Sequence, residues 1–296
     1  MNIAIFGRIT TSTKPSILFA YFNFLREQQI TFKILASYAI KLNEQINNPE
    51  ERISLAETFE NTQDLSTVDF VLSIGGDGTL LETVRQFRGS GTPVLGVNTG
   101  RLGFLAQVVQ EDLIPATHAL LKGTYKLEER TIMQLITSDT NLFPGDHFAL
   151  NDITIHKSNS NEMITVHTFI NGDFLNAYWG DGIILSTPTG STAYNLSCGG
   201  PVIMPGTPAF VITPIAPHSL TIRPMIIPDH SVISLEIESR SGQALIALDS
   251  RTQVIHHKTE IAVRKATFTM PLVRIQQYSY FESLRTRLHW GLDNRN

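Results

Sequence analysis

The sequence predicts an α/β domain built on a parallel sheet, followed by an all-β domain and a terminal helix that returns to the first domain. The chain has 296 residues, against roughly 150 for a typical domain, so two domains are expected. Residues 1–125 alternate strand-like and helical patterns, and residues 126–277 show short β-branched runs with almost no helical periodicity. The residues 278–296 are expected to pack back on the first domain.

The elements of the first domain are predicted from its apolar runs. Buried strands are expected at 3–6, 32–35, 70–74 and 93–97, and helices at 16–29, 79–88 and 111–122. Gly123 is expected to end the last of these helices. Continuous apolar strands separated by helices favour a parallel sheet covered on both faces, which is a Rossmann-like arrangement.

The second domain is predicted from strands alone. Its β-branched runs lie at 132–137, 148–156, 163–170, 182–187, 232–238, 243–248 and 261–269. Turn formers such as those at 171–173 and 241–242 separate them, which is typical of an antiparallel domain. The tail at 278–290 is helical again, with Phe281, Leu284 and Leu288 on one face.

Composition excludes several classes of protein. The 23 Lys and Arg against 27 Asp and Glu give a net charge of −4, whereas nucleic-acid-binding proteins usually carry a basic excess. The single cysteine, Cys198, excludes an intramolecular disulfide and a cysteine-only metal site. No uninterrupted apolar run of about 18 residues is present, so no membrane partner is expected. The first residues lack the apolar region of a signal peptide, so we expect a cytoplasmic location.

A first glycine-rich element, Gly75-Gly76-Asp77-Gly78-Thr79, stands between a predicted strand and a predicted helix. Glycines let backbone approach a phosphate, and a helix start favours anions. Asp77 would repel that phosphate unless it accepts a proton from an attacking hydroxyl or holds Mg²⁺. The alternative is a tight turn whose aspartate caps the helix beginning at Thr79. The P-loop and dinucleotide-fold glycine motifs are both absent from the sequence.

A second glycine-rich element spans residues 180–201, with the sequence GDGIILSTPTGSTAYNLSCGGP. Its hydroxyls supply many short donors and acceptors, and Tyr194 can stack on a flat ring. The alternative is an ordinary hairpin whose serines and threonines make local turns. Because each domain carries such an element, we expect a ligand in a cleft between the domains.

Taken together, these motifs closely resemble those of the NAD kinases, which phosphorylate the 2′-hydroxyl of the adenosine ribose of NAD. The resemblance covers nearly the whole chain and includes further stretches at 98–105, 150–152, 217–220, 223–224 and 248–250. The GGDGT element alone also occurs in lipid kinases and phosphofructokinases. The 180–201 element is far more specific.

The resemblance implies a set of site residues. Asp77 would be the catalytic carboxylate, with Gly78 beside the ligand. Asn151 and Asp152 would hold adenosine-ribose or phosphate oxygens, and Asp181 would bind one end of the dinucleotide, a contact that can cross between subunits in this family. The residues expected to line the adenine pocket are Thr192, Ala193, Tyr194, Asn195, Leu196, Ser197 and Ala216.

The resemblance also implies the partners of the reaction. ATP would be the phosphoryl donor, and Mg²⁺ would be held mainly by the donor phosphates, so no residue is assigned as a metal ligand. The first domain would handle the nucleotide donor and the second would bind NAD. A homodimer or homotetramer is expected. Neither element distinguishes ATP from inorganic polyphosphate, or NAD from NADH, and neither predicts feedback by NADP or NADPH.

Two positions depart from the family pattern, and two other functions compete. The family often has Asn-Glu where this chain has Asn151-Asp152, one methylene shorter, and Arg251 stands where a smaller or amide residue is expected.

A lipid kinase of the diacylglycerol or sphingosine type is the first competitor; a negative net charge and the lack of a basic amphipathic helix argue against it. A non-catalytic dinucleotide sensor is the second, and the presence of Asp77 argues against it.

Overall fold

The computed structural model describes residues 1–46, 52–65, 67–100, 103–275 and 279–290. The chain forms two compact units, the first comprising Met1–Glu128 with Met270–Asn296 and the second Glu129–Thr269. The predicted fold class, an α/β domain followed by an all-β domain with a terminal helix, is confirmed. The assignment of donor handling to 1–125 with 278–296, and of NAD binding to 126–277, stays a prediction.

A parallel sheet forms the centre of the first unit. Its strands are β1 (Asn2–Gly7), β2 (Thr31–Leu35), β3 (Thr58–Phe59), β4 (Phe70–Gly75), β5 (Val94–Asn98) and β6 (Val108–Val109). They pair in the order β3-β2-β1-β4-β5-β6, every pair parallel. Strand β4 is buried along its whole length, as expected for a central strand with both faces covered. The carboxyl ends of β1 and β4 therefore meet at one edge of the sheet.

Helices pack on this sheet. They are α1 (Pro15–Glu27), α2 (Ala36–Asn43), α3 (Asp77–Phe87) and α4 (Leu113–Lys122). Helix α1 buries Leu18, Phe22 and Leu25 in the core of the unit. Helix α4 ends at Gly123 in the left-handed conformation, φ +68°, as predicted for a glycine at this position. Helix α2 was not predicted, because it follows β2 directly without a turn signal.

The second unit is built from antiparallel strands. Its elements are β7 (Tyr125–Thr137), β8 (Phe148–Ala149), β9 (Asp152–Lys157), β10 (Ile164–Ile170), β11 (Asp173–Gly180), β12 (Gly182–Ser186), the short helix α5 (Tyr194–Ser197), β13 (Ala209–Ile215), β14 (Met225–Pro228), β15 (Ile233–Glu238), β16 (Gln243–Leu248), β17 (Arg251–His256) and β18 (Ile261–Ile275). The first part of β7 and the last part of β18 belong to the first unit.

Two groups of strands enclose the core of the second unit. One is a six-stranded sheet in the order β14-β13-β12-β9-β16-β17, and the other contains the run β11-β10-β15-β18. Apolar side chains from both groups, such as Ile155 and Ile183 on one side and Val166 and Leu235 on the other, form one buried cluster. Strands β11, β13, β14 and β17 were absent from the prediction.

The terminal helix α6 (Tyr280–Leu288) follows β18 and belongs to the first unit. Residue 278, where the predicted helix began, lies outside the described residues. Leu284 is buried as expected, but Phe281 is 55% exposed, so the predicted packing face is narrower than the sequence pattern indicated. In the described part of the chain, no helix has the length and apolar character needed to cross a lipid bilayer.

Candidate active site

Asp77 lies at the carboxyl end of β4, where α3 begins. Helix α3 starts at Asp77 itself with Gly76 before it, and no side chain caps its N-terminus. The carboxylate turns away from the helix and accepts three backbone N–H bonds: Phe104 at 2.6 Å, and Leu105 and Ala106 at 3.0 Å each. The helix-capping alternative is therefore wrong, and Asp77 is fixed by a distant segment instead.

Glycines make room for this carboxylate and for a ligand in front of it. A Cβ atom added to Gly103 would lie 1.9 Å from Oδ1 of Asp77, so a side chain at 103 would displace the carboxylate. By contrast, Cβ atoms added to Gly76 or Gly78 would meet no atom within 4 Å. The predicted glycine loop therefore has an open face, as backbone that approaches a phosphate requires.

The environment of Asp77 acts on its proton affinity in both directions. Burial raises the pKa of the Asp77 carboxyl, and this effect outweighs the others. The N–H groups of Ala106 and Leu105 lower the pKa, as do the positive charges of Arg287 and Arg274. A carboxylate whose pKa is raised while it stays hydrogen-bonded and fixed in place has the properties of a general base.

A cavity of about 350 Å³ lies beside the glycine loop within the first unit. Gly78 and Thr79 line it together with residues from the ends of β1 and β2. Its lining includes two cationic side chains, Arg8 and Lys41, and two carboxylates, Glu60 and Glu82. Ligands of open α/β sheets bind at the carboxyl ends of the strands, so the cavity lies where a ligand of this fold is expected.

Asn151 and Asp152 lie at the start of β9, held by Asp249. The Asp249 carboxylate accepts N–H bonds from Leu150 at 3.0 Å, Asn151 at 2.7 Å and Asp152 at 3.2 Å. Asp249 itself has a positive φ of +52°, which aims its side chain back at this segment. The carbonyl oxygen of the Asn151 side chain is buried and has no hydrogen-bond partner among the described residues.

Asp152 is a buried carboxyl group next to a second one. Burial raises its pKa to about 7, and the negative charge of Asp249 adds to the rise. Burial also raises the pKa of Asp249, although the N–H groups of Leu150, Asn151 and Asp152 and the charge of Arg251 lower it. Asp152 therefore changes its protonation state near neutral pH.

This titration predicts a pH-dependent effect of Asp152→Asn on stability. The Asp152 pKa is 3.8 in an unperturbed chain and about 7 here, so the folded state binds the proton more tightly than the unfolded state does. This proton binding stabilises the fold at low pH, and the stabilisation is lost as the pH rises toward 7. Asn stays neutral at every pH. Above pH 7 the free energy of unfolding of the variant should therefore exceed that of the wild type by a few kcal/mol, since each unit of pKa shift corresponds to about 1.4 kcal/mol. At pH 4 the difference should vanish.

Urea unfolding of both proteins between pH 4 and 8.5 measures this difference. If the Asp152 carboxylate also holds a ribose hydroxyl, calorimetry at pH 8 should show NAD binding weakened by about 1.5–3 kcal/mol in the variant. A variant less stable than the wild type at pH 8 would disprove the raised pKa. Unchanged NAD affinity would show that Asp152 does not contact NAD.

The second glycine-rich element packs directly against the Asn151 segment. A Cβ atom added to Gly190 would lie 2.1 Å from the Asn151 carbonyl oxygen. The Thr187 hydroxyl donates to the Leu150 carbonyl at 2.6 Å, and the Thr187 N–H donates to the Asn151 carbonyl at 2.9 Å. The loop joins the antiparallel strands β12 and β13 and contains local turns, such as the bond from the Ser191 hydroxyl to the Pro188 carbonyl at 2.7 Å, as the hairpin alternative expects. It also packs on the segment that carries Asn151 and Asp152.

Asn195 holds this loop together from within. Its side chain is fully buried, donates to the carbonyls of Ser191 and Pro201 at 3.1 Å each, and accepts from the Thr213 hydroxyl at 2.6 Å. A Cβ atom on Gly200 would collide with it. Its side chain thus positions the loop, and its predicted place in an adenine pocket stays a prediction.

The remaining predicted pocket residues are at least partly accessible. Thr192, Ala193 and Leu196 are half-buried and Ser197 is exposed. Tyr194 is 42% exposed, so its ring has a free face. Burial raises the Tyr194 pKa, and Cys198 and the carboxylates of Asp181 and Asp152 raise it further. Tyr194 therefore lies close to both predicted carboxylates.

Asp181 joins β11 to β12, and Ala216 follows β13. The Asp181 N–H donates to the Ile215 carbonyl at 3.0 Å, and Ala216 follows with a positive φ of +43°. The Asp181 carboxylate forms an ion pair with Lys157, Nζ to Oδ1 2.7 Å. Asp181 is only half-buried, so this pair leaves one face of the carboxylate for a ligand.

The structure gives Arg251 a clear role. Its guanidinium pairs with Asp146 at 2.6 Å, donates to the Asp146 and Phe148 carbonyls, and lies 5.5 Å from the centre of the Phe143 ring. Arg251 thus fixes the segment that precedes Leu150. Sequence reasoning noted Asp249 within a motif but missed its function, because its three partners lie about a hundred residues away.

Comparisons with known proteins identify families and relatives that this chain resembles. Family models of the ATP-NAD kinase N-terminal and C-terminal domains match residues 20–125 and 150–275. The NAD kinase of Cytophaga hutchinsonii is 51% identical over 243 residues, which cover 82% of this chain and 83% of that protein.

Solved structures are similar along the whole chain. Yeast NADH kinase complexed with NADH superposes with a TM-score of 0.86 at 25% identity, covering 99% of this chain and 89% of that one. An NAD kinase from Archaeoglobus fulgidus in complex with ATP shares the fold, with a TM-score of 0.73 at 23% identity, covering 98% of this chain and 99% of that one. By its matching family models and its sequence identity to a curated relative, the chain belongs to the NAD kinase family.

Proposed function

We propose that this enzyme transfers the terminal phosphoryl group of ATP to the 2′-hydroxyl of the adenosine ribose of NAD, giving NADP and ADP. One observation carries the proposal. Asp77, in a chain of the NAD kinase family, is fixed by three backbone N–H groups at the edge of an open glycine loop. The related structures were solved with NADH and with ATP, which supports a dinucleotide acceptor and a nucleotide donor.

Asp77 is the base in this proposal. Its carboxylate accepts the proton of the ribose 2′-hydroxyl as that oxygen forms a bond to the terminal phosphorus of ATP. The bond from that phosphorus to the bridging oxygen breaks, and ADP leaves with the electron pair. Phosphoryl transfer depends mainly on positioning and charge neutralisation, and the hydrogen bonds to the carboxylate hold it in one orientation.

The donor phosphates are placed along the open face of Gly76 and Gly78. Backbone N–H groups at the start of α3 attract anions there, and the adjoining cavity holds two cations, Arg8 and Lys41, beside two carboxylates, Glu60 and Glu82. Mg²⁺ enters with ATP as part of the substrate. In this proposal the donor phosphates supply most of its ligands.

NAD is assigned to the residues of the second unit. Asn151 is assigned to the ligand because of its place before β9, and Asp152 and Asp181 offer carboxylate oxygens for ribose hydroxyls. The partly exposed Tyr194 ring offers a stacking surface for adenine. Asn151 and Asp152 lie at the end of β9 that pairs with Ser186, whereas Asp181 precedes the other end of β12, so one extended dinucleotide would have to reach both ends of this strand pair.

An acceptor panel tests the proposal against the lipid-kinase alternative. The enzyme is incubated with Mg²⁺ and ATP labelled in the terminal phosphate, and with NAD, NADH or vesicles containing diacylglycerol. We expect label in the dinucleotide and none in the lipid. Label in the lipid alone would overturn the proposal, and NAD binding without transfer would favour a non-catalytic sensor. Replacing ATP by inorganic polyphosphate measures the donor range.

We also propose that the enzyme is a homodimer or homotetramer. The outer strands of the six-stranded sheet, β14 and β17, expose the apolar side chains of Met225, Ile226 and Val254. Unpaired strand edges with exposed apolar side chains favour association. Light scattering at micromolar concentration should give at least twice the monomer mass of 32.9 kDa. A mass near the monomer's would contradict this. The cytoplasmic location stays a prediction.

A further inference from the structure

Arg287 on α6 lies next to the segment that holds Asp77. Its guanidinium carbon lies 4.5 Å from the centre of the Phe104 ring, within the distance of a cation–π contact. The N–H of Phe104 is the donor of the 2.6 Å bond to the Asp77 carboxylate. Arg287, Phe104 and Asp77 thus form a continuous series of contacts within the first unit.

The guanidinium of Arg287 lacks hydrogen bonds. All three of its nitrogens are shielded from solvent, and none has a partner among the described residues. A shielded charge without hydrogen bonds is costly. Burial lowers the pKa of Arg287 to about 10, while the carboxylate of Asp77 opposes this decrease. The carboxylate of Asp77 and the face of the Phe104 ring therefore offset part of the cost of this charge.

The other cation near Asp77 is already compensated. Arg274 on β18 donates to the Glu128 carboxylate on β7 at 2.6 Å and to the Leu105 carbonyl at 3.2 Å. In the part of the chain that the structure describes, Arg287 and Arg274 are the charged groups that act on Asp77. Among the described residues, Arg287 has no hydrogen-bonded carboxylate partner, unlike Arg274.

We propose that Arg287 is a positioning residue for phosphoryl transfer, balancing the charge of the Asp77 carboxylate and holding Phe104 with its N–H directed at that carboxylate. The inference rests on the proposed function, in which Asp77 is the base. Arg287 acts through Asp77 and Phe104, because its shielded nitrogens are closed to a substrate. The terminal helix thereby contributes to the reaction and not only to packing.

The proposal has a consequence for pH dependence. Arg287 lowers the pKa of the Asp77 carboxyl, so removing its charge should raise that pKa further. Because the base must be ionised to accept a proton, the acidic limb of the turnover profile should move to higher pH. The loss of one neighbouring opposite charge shifts a pKa by about one unit or more, so turnover on the limb should fall about tenfold.

The test compares Arg287→Met and Arg287→Lys with the control Arg285→Met. Arg285 is exposed on the same helix, two residues earlier. We expect Arg287→Met to lower turnover about tenfold at pH 6, to recover most of it at pH 9, and to leave the KM for NAD within about twofold. Arg287→Lys should keep most of the turnover at pH 6, and Arg285→Met should match the wild type at every pH.

A second readout is independent of activity. The Asp77 carboxyl is titrated by ¹³C NMR in aspartate-labelled protein and assigned by its absence in Asp77→Asn. Its pKa should be higher in Arg287→Met than in the wild type even if NAD is not the acceptor, so the inference and the proposed function can fail separately. If Arg287→Met does not fold, Arg287→Gln and Phe104→Leu replace it. An unchanged Asp77 pKa, or an equal loss of turnover at every pH, would overturn the proposal.

Discussion

Asp77→Asn is expected to lower turnover by at least roughly a hundredfold while NAD affinity changes little. The substitution removes the basic oxygen, and a general base contributes about 10²–10⁴ in rate. NADP formation gives the turnover, and calorimetry on the same protein gives the NAD affinity. The exposed Asp173 offers a matched control, since Asp173→Asn makes the same chemical change away from the predicted site and should leave both quantities unaltered.

The hydrogen bonds of Asp77 add a second expectation for this variant. The asparagine amide has one accepting oxygen, so its NH₂ group would face at least one of the N–H donors at 104–106. An unpaired donor costs about 1–3 kcal/mol of stability, which urea unfolding measures. Surviving turnover would show that Asp77 only holds this segment. Loss of NAD binding in a folded protein would make Asp77 a ligand-binding residue, and the base would lie elsewhere.

Asp249→Ala is expected to destabilise the second unit and weaken NAD binding together. Asp249 is partly exposed as a residue, but its carboxylate turns inward onto the N–H groups of Leu150, Asn151 and Asp152. Removing the acceptor leaves three donors unpaired and places alanine at a positive φ, so the free energy of unfolding should fall by about 3–5 kcal/mol. NAD affinity should fall at least roughly tenfold, the equivalent of about one charged hydrogen bond.

Two variants sharpen this result. Asp249→Asn keeps one accepting oxygen and a residue that tolerates the left-handed region, so it should lose less stability than Asp249→Ala. Ser250 is exposed and adjacent, and Ser250→Ala should match the wild type. If Asp249→Ala retains its urea midpoint and its NAD affinity, the account of Asn151 and Asp152 as residues held in place by Asp249 is wrong.

The sequence predicted the fold class because the spacing of apolar residues differs between the two domains. Apolar runs with intervening helical patterns indicate a covered parallel sheet, and β-branched runs indicate antiparallel strands. Strand β13 was missed although it is buried throughout, since its sequence AFVITPI carries a proline and follows a segment rich in turn formers. Helix α2 was missed because nothing in the sequence separates it from β2.

The sequence predicted which residues to consider for the site, but not which atoms they contact. The motif Gly75-Gly76-Asp77-Gly78 marks a carboxylate beside a glycine loop, yet a cap and a base have the same local sequence. Only the folded chain shows that its partners are the N–H groups of 104–106, 27 to 29 residues away. The same holds for Asp249 and Arg287, whose partners are brought close by the sheets and not by local sequence.

The most direct test of the central claim is the ³¹P NMR spectrum of NAD after incubation with the purified enzyme and Mg–ATP. The account predicts one new phosphomonoester signal, on the 2′-oxygen of the adenosine ribose, that grows as ATP is converted to ADP and is absent over the same period with Asp77→Asn. No new signal on the dinucleotide, or a phosphate attached to any other oxygen of NAD, would contradict it.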